Sequence, residues 1–361
     1  MLLHGIFPPL TTPFYSDDKI YFKKLQQNVE LYSKTPVAGI VVLGSTGEAI
    51  MLSDQERRDV LKSACDSAAA NKVLIAGTGI ESATETLRLT EYAAELGYDV
   101  AMIRTPHYYK SQMKPKNILA FYRTVADRSP LPVIIYNFPQ ATGYDIPAEL
   151  VIELAEHPNL IGIKESSGSV EKVQKMVAGT RHVQRSAPVT EVFAAVTGRM
   201  TRNTSAPSRG DLVPAETLAG ARGSSETGTN SAIAVQAPPS ATLRTRTKEI
   251  GFQVLVGAAQ KLEPSLQAGA VGAILAFACP APTACFEIYT AWKEGDFALA
   301  REKQERIATA AQRVVGDFGI PGVKYSMDLN GYYGGPSRLP FLPLDAANKS
   351  EIDDLMRKIK N

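Results

Sequence analysis

The chain has few of the residues that build metal sites and disulfide frameworks. Its 361 residues include four histidines and three cysteines, Cys65, Cys279 and Cys285. The cysteines are odd in number and follow no CxxC spacing, and the histidines form no cluster along the sequence. Neither a disulfide framework nor a zinc site is therefore predicted. The thiols are expected to be reduced, which is typical of a cytoplasmic protein.

A strong charge of one sign is also missing. The 39 basic and 37 acidic residues leave a net charge of +2, so neither nucleic acid nor an acidic membrane is expected as a partner. No secretion signal precedes the first strand-like segment, 6–10, and we expect no export. The uncharged stretch 268–286 contains Gly269, Gly272, Pro280 and Pro282. Because these residues divide it into shorter elements, no membrane span is predicted.

Eight short apolar segments alternate with amphipathic ones. The predicted strands are 6–10, 39–43, 73–77, 100–105, 133–136, 160–164, 252–256 and 271–277. Continuous apolar runs of this length are typical of a parallel sheet that is covered on both faces. Eight repeats of strand and helix favour a closed α/β fold, the TIM or (β/α)8 barrel, over an open sheet. Later amphipathic segments, 287–292, 297–315 and 351–359, predict a helical C-terminal extension.

One segment, 183–247, interrupts the alternation. It is rich in Ser, Thr, Ala, Pro and Gly, has seven arginines and no lysine, and contains one aromatic residue, Phe193. So little apolar surface predicts a disordered insertion, and a retained intron is a second hypothesis. Since the segment lies between the sixth helix and the seventh strand, we expect it on the N-terminal face of the barrel, away from catalysis. The predicted organisation is strands one to six in 1–182, the insertion in 183–247, strands seven and eight in 248–294, and the extension in 295–361.

Polar residues at the carboxyl ends of barrel strands are the candidates for chemistry. The sixth predicted strand is apolar until Lys164. Burial disfavours the ammonium form of a lysine, and a neutral amine can attack a ketone to form an imine that accepts electrons. The alternative from position alone is a lysine that extends to solvent or pairs with Glu165.

Two neighbouring strand ends add further candidates. The fifth strand ends in Tyr136, whose phenol can pass a proton beside an imine or can serve only in packing. The second strand leads into GSTGE at 44–48, where the hydroxyls of Ser45 and Thr46 and the amides around Gly47 can bind a small carboxylate. A plain strand-to-helix turn would use glycines as well. The segment is not a P-loop, because the lysine and the spacing differ.

Four motifs together resemble the dihydrodipicolinate synthase/N-acetylneuraminate lyase family of class I, Schiff-base aldolases. They are GSTGE at 44–48, TPHYY at 105–109, IIYNFP at 134–139 and GIKESSG at 162–168. The resemblance covers the whole chain except the insertion. The segment 318–336, which begins FGIPGVKY and ends GYYGGP, is most similar to the 4-hydroxy-2-oxoglutarate aldolase branch.

The resemblance implies a role for each matching residue. Lys164 corresponds to the lysine that forms the Schiff base, and Tyr136 to the tyrosine that shuttles the proton. Ser45 corresponds to a hydroxyl that links this tyrosine into a proton relay. Together with Thr46 and Gly47, Ser45 also corresponds to the turn that binds the carboxylate of pyruvate.

The resemblance further implies an oligomer. Tyr108 corresponds to a catalytic tyrosine that reaches the active site of the adjacent subunit, and the family usually forms homotetramers. Ser166, close to the lysine, is expected to contact the distal part of the substrate. The iminium itself accepts the electrons, so neither a metal nor another cofactor is expected.

One departure from the family bears on the substrate. Members that make dihydrodipicolinate commonly carry an arginine shortly after the tyrosine, where this chain has Ala141. Without that bidentate contact to a second carboxylate, we expect an aldolase that cleaves or forms a 4-hydroxy-2-oxo acid. The first expectation is 4-hydroxy-2-oxoglutarate, which yields pyruvate and glyoxylate. The alternatives are a 2-keto-3-deoxy sugar acid aldolase, a dihydrodipicolinate synthase that joins pyruvate to aspartate semialdehyde, and an inactive barrel that binds small molecules.

Overall fold

The computed structural model describes residues 1–205 and 243–359, with the backbone alone at 203–205. Ten strands occur within these ranges: β1 (Gly5–Phe7), β2 (Gly39–Val42), β3 (Val73–Gly77), β4 (Val100–Arg104), β5 (Val133–Asn137), β6 (Leu160–Glu165), β7 (Arg185–Thr190), β8 (Thr245–Ile250), β9 (Gln253–Val256) and β10 (Gly272–Ile274). Eight of them form one parallel sheet in the order β1-β10-β9-β6-β5-β4-β3-β2. A parallel bridge between Pro9 and Val41 joins the two edges. The sheet is thus a nearly closed barrel of the TIM type.

Helices cover the outside of the barrel and extend beyond it. In the described ranges they are α1 (Phe22–Ser33), α2 (Asp54–Ser67), α3 (Ala83–Leu96), α4 (Pro115–Arg128), α5 (Pro139–Thr142), α6 (Ala148–Ala155), α7 (Val170–Gly179), α8 (Gly198–Ser205), α9 (Leu262–Gln267), α10 (Pro282–Lys293), α11 (Phe297–Ala311), α12 (Gly319–Leu329) and α13 (Ala346–Met356). The last three form the C-terminal extension, with a π-helical turn, Gln312–Asp317, between α11 and α12.

Apolar side chains point to both faces of each barrel strand. In β3, Val73 and Ile75 belong to the cluster inside the barrel, whereas Leu74 and Ala76 pack between the sheet and the helices. Side chains alternate in direction along a strand, so a strand covered on both faces is apolar at most of its positions. This explains the continuous apolar runs, and the predicted barrel is confirmed with all eight strands.

The C-terminal region has one more helix than predicted. Helix α12 contains Gly319, Pro321 and Gly322, which all disfavour a helix interior, so the sequence pattern did not indicate it. Burial of Val323 and Met327 against the core outweighs that low propensity. The uncharged stretch 268–286 is divided among β10, a 3-10 turn and α10. No helix in residues 1–205 and 243–359 is long and apolar enough to cross a membrane.

Both ends of segment 183–247 are structured, so the prediction of a fully disordered insertion is wrong for them. Strands β7 and β8 pair antiparallel over their whole length, and α8 follows β7. The buried side chains of Ala187 and Val189 alternate along β7 and pack on Leu2 and Ile250, and this short amphipathic pattern supplies the stabilising apolar contact. Residues 206–242 of the predicted insertion lie outside the described residues.

The ends of this segment lie on the N-terminal face of the barrel, as predicted. The amide of Gly198 donates to Asp99, the residue before β4, at 3.0 Å. The side chain of Arg199 donates to the main-chain oxygen of Ala68 at 3.0 Å, before β3, and Arg185 donates to His157 at 2.8 Å, before β6. The carboxyl ends of the strands are therefore left free for a site.

A substitution in β6 tests the close pairing of the strand that carries Lys164. A Cβ atom on Gly162 would lie 2.3 Å from the main-chain oxygen of Gln253 in β9, so Gly162→Ala must separate the two strands. We expect it to lower the free energy of unfolding by about 3 kcal/mol, measured by chemical denaturation. The control is Gly168→Ala, which has a φ of +82° and open space around it, and a cost of about 1 kcal/mol is expected. Equal losses for the two variants would contradict this description.

Candidate active site

Lys164 lies inside the mouth of the barrel. It is 5% exposed, and its Nζ atom lies 4.0 Å from the centroid of the Tyr136 ring. The two residues are direct partners in the parallel pairing of β5 with β6, so their side chains point to the same face of the sheet. The low exposure argues against a lysine that extends to solvent.

Glu165, the carboxylate next to Lys164 in the sequence, forms no ion pair with it. Glu165 follows Lys164 in the strand and points to the opposite face, where the amide group of Asn137 donates to Oε2 at 2.9 Å. The Nζ atom of Lys172 lies 3.2 Å from the same oxygen, and Lys172 also pairs with Asp145. Lys164 has no ion-pair partner in the part of the chain that the structure describes. Its amine is therefore buried with an aromatic ring as its close neighbour.

Tyr136 connects the lysine to the turn after β2. Its hydroxyl lies 3.2 Å from Oγ of Ser45, within hydrogen-bond distance. The ring of Phe138 stacks parallel to the Tyr136 ring, with the centroids 5.8 Å apart, and limits its movement. Lys164, Tyr136 and Ser45 thus form a continuous line of polar groups across the barrel mouth.

The turn that follows β2 is tightly packed against the chain after β1. Ser45–Gly47 forms a 3-10 turn in which Thr46 is buried. A side chain at Gly47 is excluded, because a Cβ atom there would lie 2.8 Å from the main-chain oxygen of Leu10. Oγ1 of Thr12 donates to the carbonyl of Gly47 at 2.6 Å. Short 3-10 turns present amide groups on one side, and such a surface can bind a carboxylate.

Ser166 lies two residues after the lysine and offers an unused hydroxyl. Its Oγ atom is buried and has no hydrogen-bond partner among the described residues. The space beside it exists because residue 257 is glycine, where a Cβ atom would lie 1.9 Å from this oxygen. A buried hydroxyl without a partner is costly, and a bound polar molecule would supply one.

Tyr108 is not brought to this group within a single chain. It is 75% exposed, and the neighbouring Tyr109 is 65% exposed. The loop that carries them is attached at its base to Glu81. This carboxylate accepts the amides of His107 and Tyr108 at 2.9 and 3.0 Å and pairs with Arg104 at 2.9 Å.

The structure adds two arginines that the sequence analysis did not select. An open pocket with an empty volume of about 450 Å³ adjoins Ser45 and Tyr136 and is lined by Arg57 and Arg104. Arg57 has no ion-pair partner among the described residues. Burial is the main cause of its lowered pKa, and the positive charge of Arg104 contributes. Arg104 ends β4, so the strand-end rule that selected Lys164 applied to it as well, whereas nothing in the sequence placed Arg57 here.

A buried ion pair lies behind the 44–48 turn and was also missed. Nζ of Lys324, on α12, lies 2.5 Å from Oε1 of Glu48, and the two side chains are 1% and 0% exposed. Burial lowers the pKa of Lys324, and the Glu48 charge opposes this shift. Glu48 belongs to a motif that the sequence showed, but its partner is far along the chain and no local pattern pointed to it.

Comparisons with known proteins agree with this arrangement. Residues 2–184 and 239–359 match the sequence profile described as the Dihydrodipicolinate synthetase family. A 4-hydroxy-tetrahydrodipicolinate synthase of Methanothrix thermoacetophila is 26% identical over 360 residues, which cover 100% of this chain and 98% of that protein. One of Stenotrophomonas maltophilia is 40% identical over 178 residues, or 49% of this chain and 59% of that protein.

A solved structure is similar over the whole length. YagE of E. coli K12 is a prophage protein of the dihydrodipicolinic acid synthase family, crystallised in complex with pyruvate. It superposes with a TM-score of 0.73 at 26% identity, covering 99% of this chain and 99% of that chain.

Proposed function

Because this chain belongs to the dihydrodipicolinate synthetase family and is an enzyme of its lyase and aldolase class, we propose that it acts through a Schiff base between Lys164 and pyruvate. The observation that carries the proposal is the line of Lys164, Tyr136 and Ser45 at the carboxyl ends of the strands. A buried amine without a carboxylate partner is suited to attack on a ketone. The complex of YagE with pyruvate supports the choice of ligand.

The proposed reaction begins at the C2 ketone of a 2-oxo acid. The substrate carboxylate binds at the turn of Ser45, Thr46 and Gly47, which places C2 near the amine of Lys164. Nζ attacks C2, and the resulting carbinolamine loses water to become an iminium ion. Tyr136, hydrogen-bonded to Ser45, supplies and removes the protons of these steps.

Cleavage then uses the iminium as the acceptor of electrons. The 4-hydroxyl loses its proton and becomes the carbonyl of the leaving aldehyde, while the electrons of the C3–C4 bond move into the iminium and form an enamine. The enamine takes a proton at C3, and water hydrolyses the imine to release pyruvate and the free lysine. Each of these steps runs in reverse for synthesis.

For the substrate we propose 4-hydroxy-2-oxoglutarate, which is cleaved to pyruvate and glyoxylate. Ala141 is exposed on α5 and offers no charged contact there. Arg57, which has no ion-pair partner among the described residues, gives the adjoining pocket a positive charge, whereas Arg104 pairs with Glu81. This charge favours an aldehyde with a carboxylate over an uncharged one. Ser166 supplies a free hydroxyl for the distal part of the substrate.

A synthase is the second candidate, because the curated relatives carry that name. It would join pyruvate to aspartate semialdehyde, which also has a carboxylate. Both candidates use the same Schiff base, so the choice between them depends on the partner aldehyde. A 2-keto-3-deoxy sugar acid would instead release an uncharged aldehyde, and the unpaired charge of Arg57 counts against it.

We also propose that the protein is a homo-oligomer, with a tetramer as the expected form. Tyr108 and Tyr109 together expose large aromatic surfaces on a loop whose base is fixed by Glu81. In the proposed oligomer a second subunit covers these rings, and Tyr108 of one subunit lies near Tyr136 of the other. Sedimentation velocity of the full chain measures the oligomer directly, and a stable monomer with full activity would contradict this part of the proposal.

Trapping with borohydride tests the Schiff base. Reduction in the presence of pyruvate is expected to attach a stable adduct to Lys164, located by peptide mass mapping. Lys164→Arg removes the nucleophile and should lower turnover of 2-oxo acids by at least about 1,000-fold. The control is Lys72→Arg, which alters a buried lysine on the N-terminal face and should keep its activity. An adduct on another lysine, or full activity of Lys164→Arg, would refute the proposal.

Product assays test the choice of substrate. We expect kcat/KM for cleavage of 4-hydroxy-2-oxoglutarate to exceed that for a 2-keto-3-deoxy sugar acid by at least about tenfold, because only the former has a second carboxylate to meet the charge of Arg57. Arg57→Met should reduce this preference. Efficient consumption of aspartate semialdehyde with pyruvate, and none of glyoxylate, would instead establish the synthase.

A further inference from the structure

The buried pair of Glu48 and Lys324 is not used by the proposed reaction, yet it lies directly against the carboxylate turn. Lys324 donates to the main-chain oxygens of Thr12 and Pro336 at 2.9 and 2.7 Å, in addition to its ion pair with Glu48. Two of its three N–H donors thus have main-chain acceptors, and the ammonium group also lies against the Glu48 carboxylate. The amine of Lys324 is therefore held in place by groups on three different segments of the chain.

Lys324 contacts both sides of the turn. On one side it pairs with the carboxylate of Glu48, the residue that directly follows Ser45–Gly47. On the other side it binds the backbone of Thr12, whose hydroxyl donates to the carbonyl of Gly47. A shift of Lys324 would therefore release both contacts at once.

The backbone of Glu48 requires such support. Its φ is +54°, in the left-handed region that residues other than glycine rarely adopt. The amide of Glu48 donates to the carbonyl of Ser45 at 3.1 Å and thereby closes the turn. Such a backbone conformation is maintained when contacts with the surrounding structure fix it. For Glu48, those contacts are made to its carboxylate.

Arg338 completes the enclosure of Glu48. Its amide donates to Oε2 of Glu48 at 2.9 Å, and its guanidinium pairs with Glu56 near the start of α2. The Lys324 ammonium and the Arg338 guanidinium lie 4.5 and 4.4 Å from the centroid of the buried Phe14 ring. Lys324 and Arg338, both from the C-terminal region, thus pack among the elements that surround β2.

From these contacts we infer that Glu48 and Lys324 are positioning residues for substrate binding. Their ion pair sets the position of Ser45 and Thr46 for the substrate carboxylate, and of Ser45 for its hydrogen bond with Tyr136. Through this pair the C-terminal helix α12 determines the affinity for 2-oxo acids. The inference rests on the proposed function, because it assigns the turn as the carboxylate site.

The test compares variants that remove one charge with a variant that removes both. Glu48→Gln and Lys324→Met each leave an unpaired buried charge and are expected to lower the melting temperature. The double variant Glu48→Gln/Lys324→Met has no unpaired charge, so its melting temperature should recover most of that loss. The pyruvate concentration that gives half-maximal borohydride trapping on Lys164 should nevertheless stay about 10- to 100-fold above the wild-type value, since the turn is no longer held in position.

A purely structural role predicts a different result. In that case the half-maximal concentration of the double variant would return to the wild-type value together with its melting temperature, and the inference would be overturned. Lys72→Met is the matched control. It removes a buried lysine that donates to Thr35 and Val37 on the opposite face. It should lower the melting temperature without changing pyruvate trapping.

A milder variant keeps the test decisive if the double variant does not fold. Thr12→Val removes only the hydrogen bond to Gly47 and conserves the volume of the side chain. It should raise the half-maximal pyruvate concentration and the KM for cleavage while kcat changes less. Unchanged trapping by Thr12→Val would also overturn the inference. If the wild-type protein formed no adduct on Lys164, the proposed function would fail first, and this inference with it.

Discussion

The parallel register of β5 with β6 is the constraint on which the site depends. It makes Tyr136 and Lys164 direct neighbours on the inner face of the barrel, 4.0 Å apart from ring centroid to amine. The same alternation turns Glu165 away from the lysine and into its own hydrogen bonds. Strand geometry alone thus separates an amine from the nearest carboxylate in the sequence, and it leaves that amine facing the barrel mouth beside Tyr136.

A second constraint brings the distant C-terminal chain to the turn after β2. Opposite charges buried together at 2.5 Å are favourable only when the remaining donors and acceptors also have partners. Here the carbonyls of Thr12 and Pro336 and the amide of Arg338 provide them. Their placement requires α12 to dock on the barrel. The turn that is proposed to bind substrate is therefore a tertiary feature, although its sequence motif is local.

The sequence could predict whatever depends on local pattern. Continuous apolar runs indicated the eight strands. The rule that active-site residues lie at the carboxyl ends of barrel strands indicated Lys164 and Tyr136. Lys324 could not be found in this way, because it lies in a segment with poor helix propensity and meets its partner only after folding. The ribbon of β7 and β8 was missed because its apolar positions, chiefly Ala187 and Val189, are few and are buried only through contact with the barrel.

The two faces of the barrel differ in how exactly their groups must be positioned, and this explains why the extra segment lies on the N-terminal face. The N-terminal face needs only to be closed, and β7, β8 and α8 close it through contacts with loops that precede β3, β4 and β6. The carboxyl face needs definite distances between groups on different strands, and there the chain uses a buried ion pair and a residue with positive φ. An addition on the first face leaves those distances unchanged, because the rigid strands lie between. A loss of contact on the carboxyl face would act directly on those distances, so the proposed chemistry depends on the last helices as well as on the residues proposed to touch the substrate.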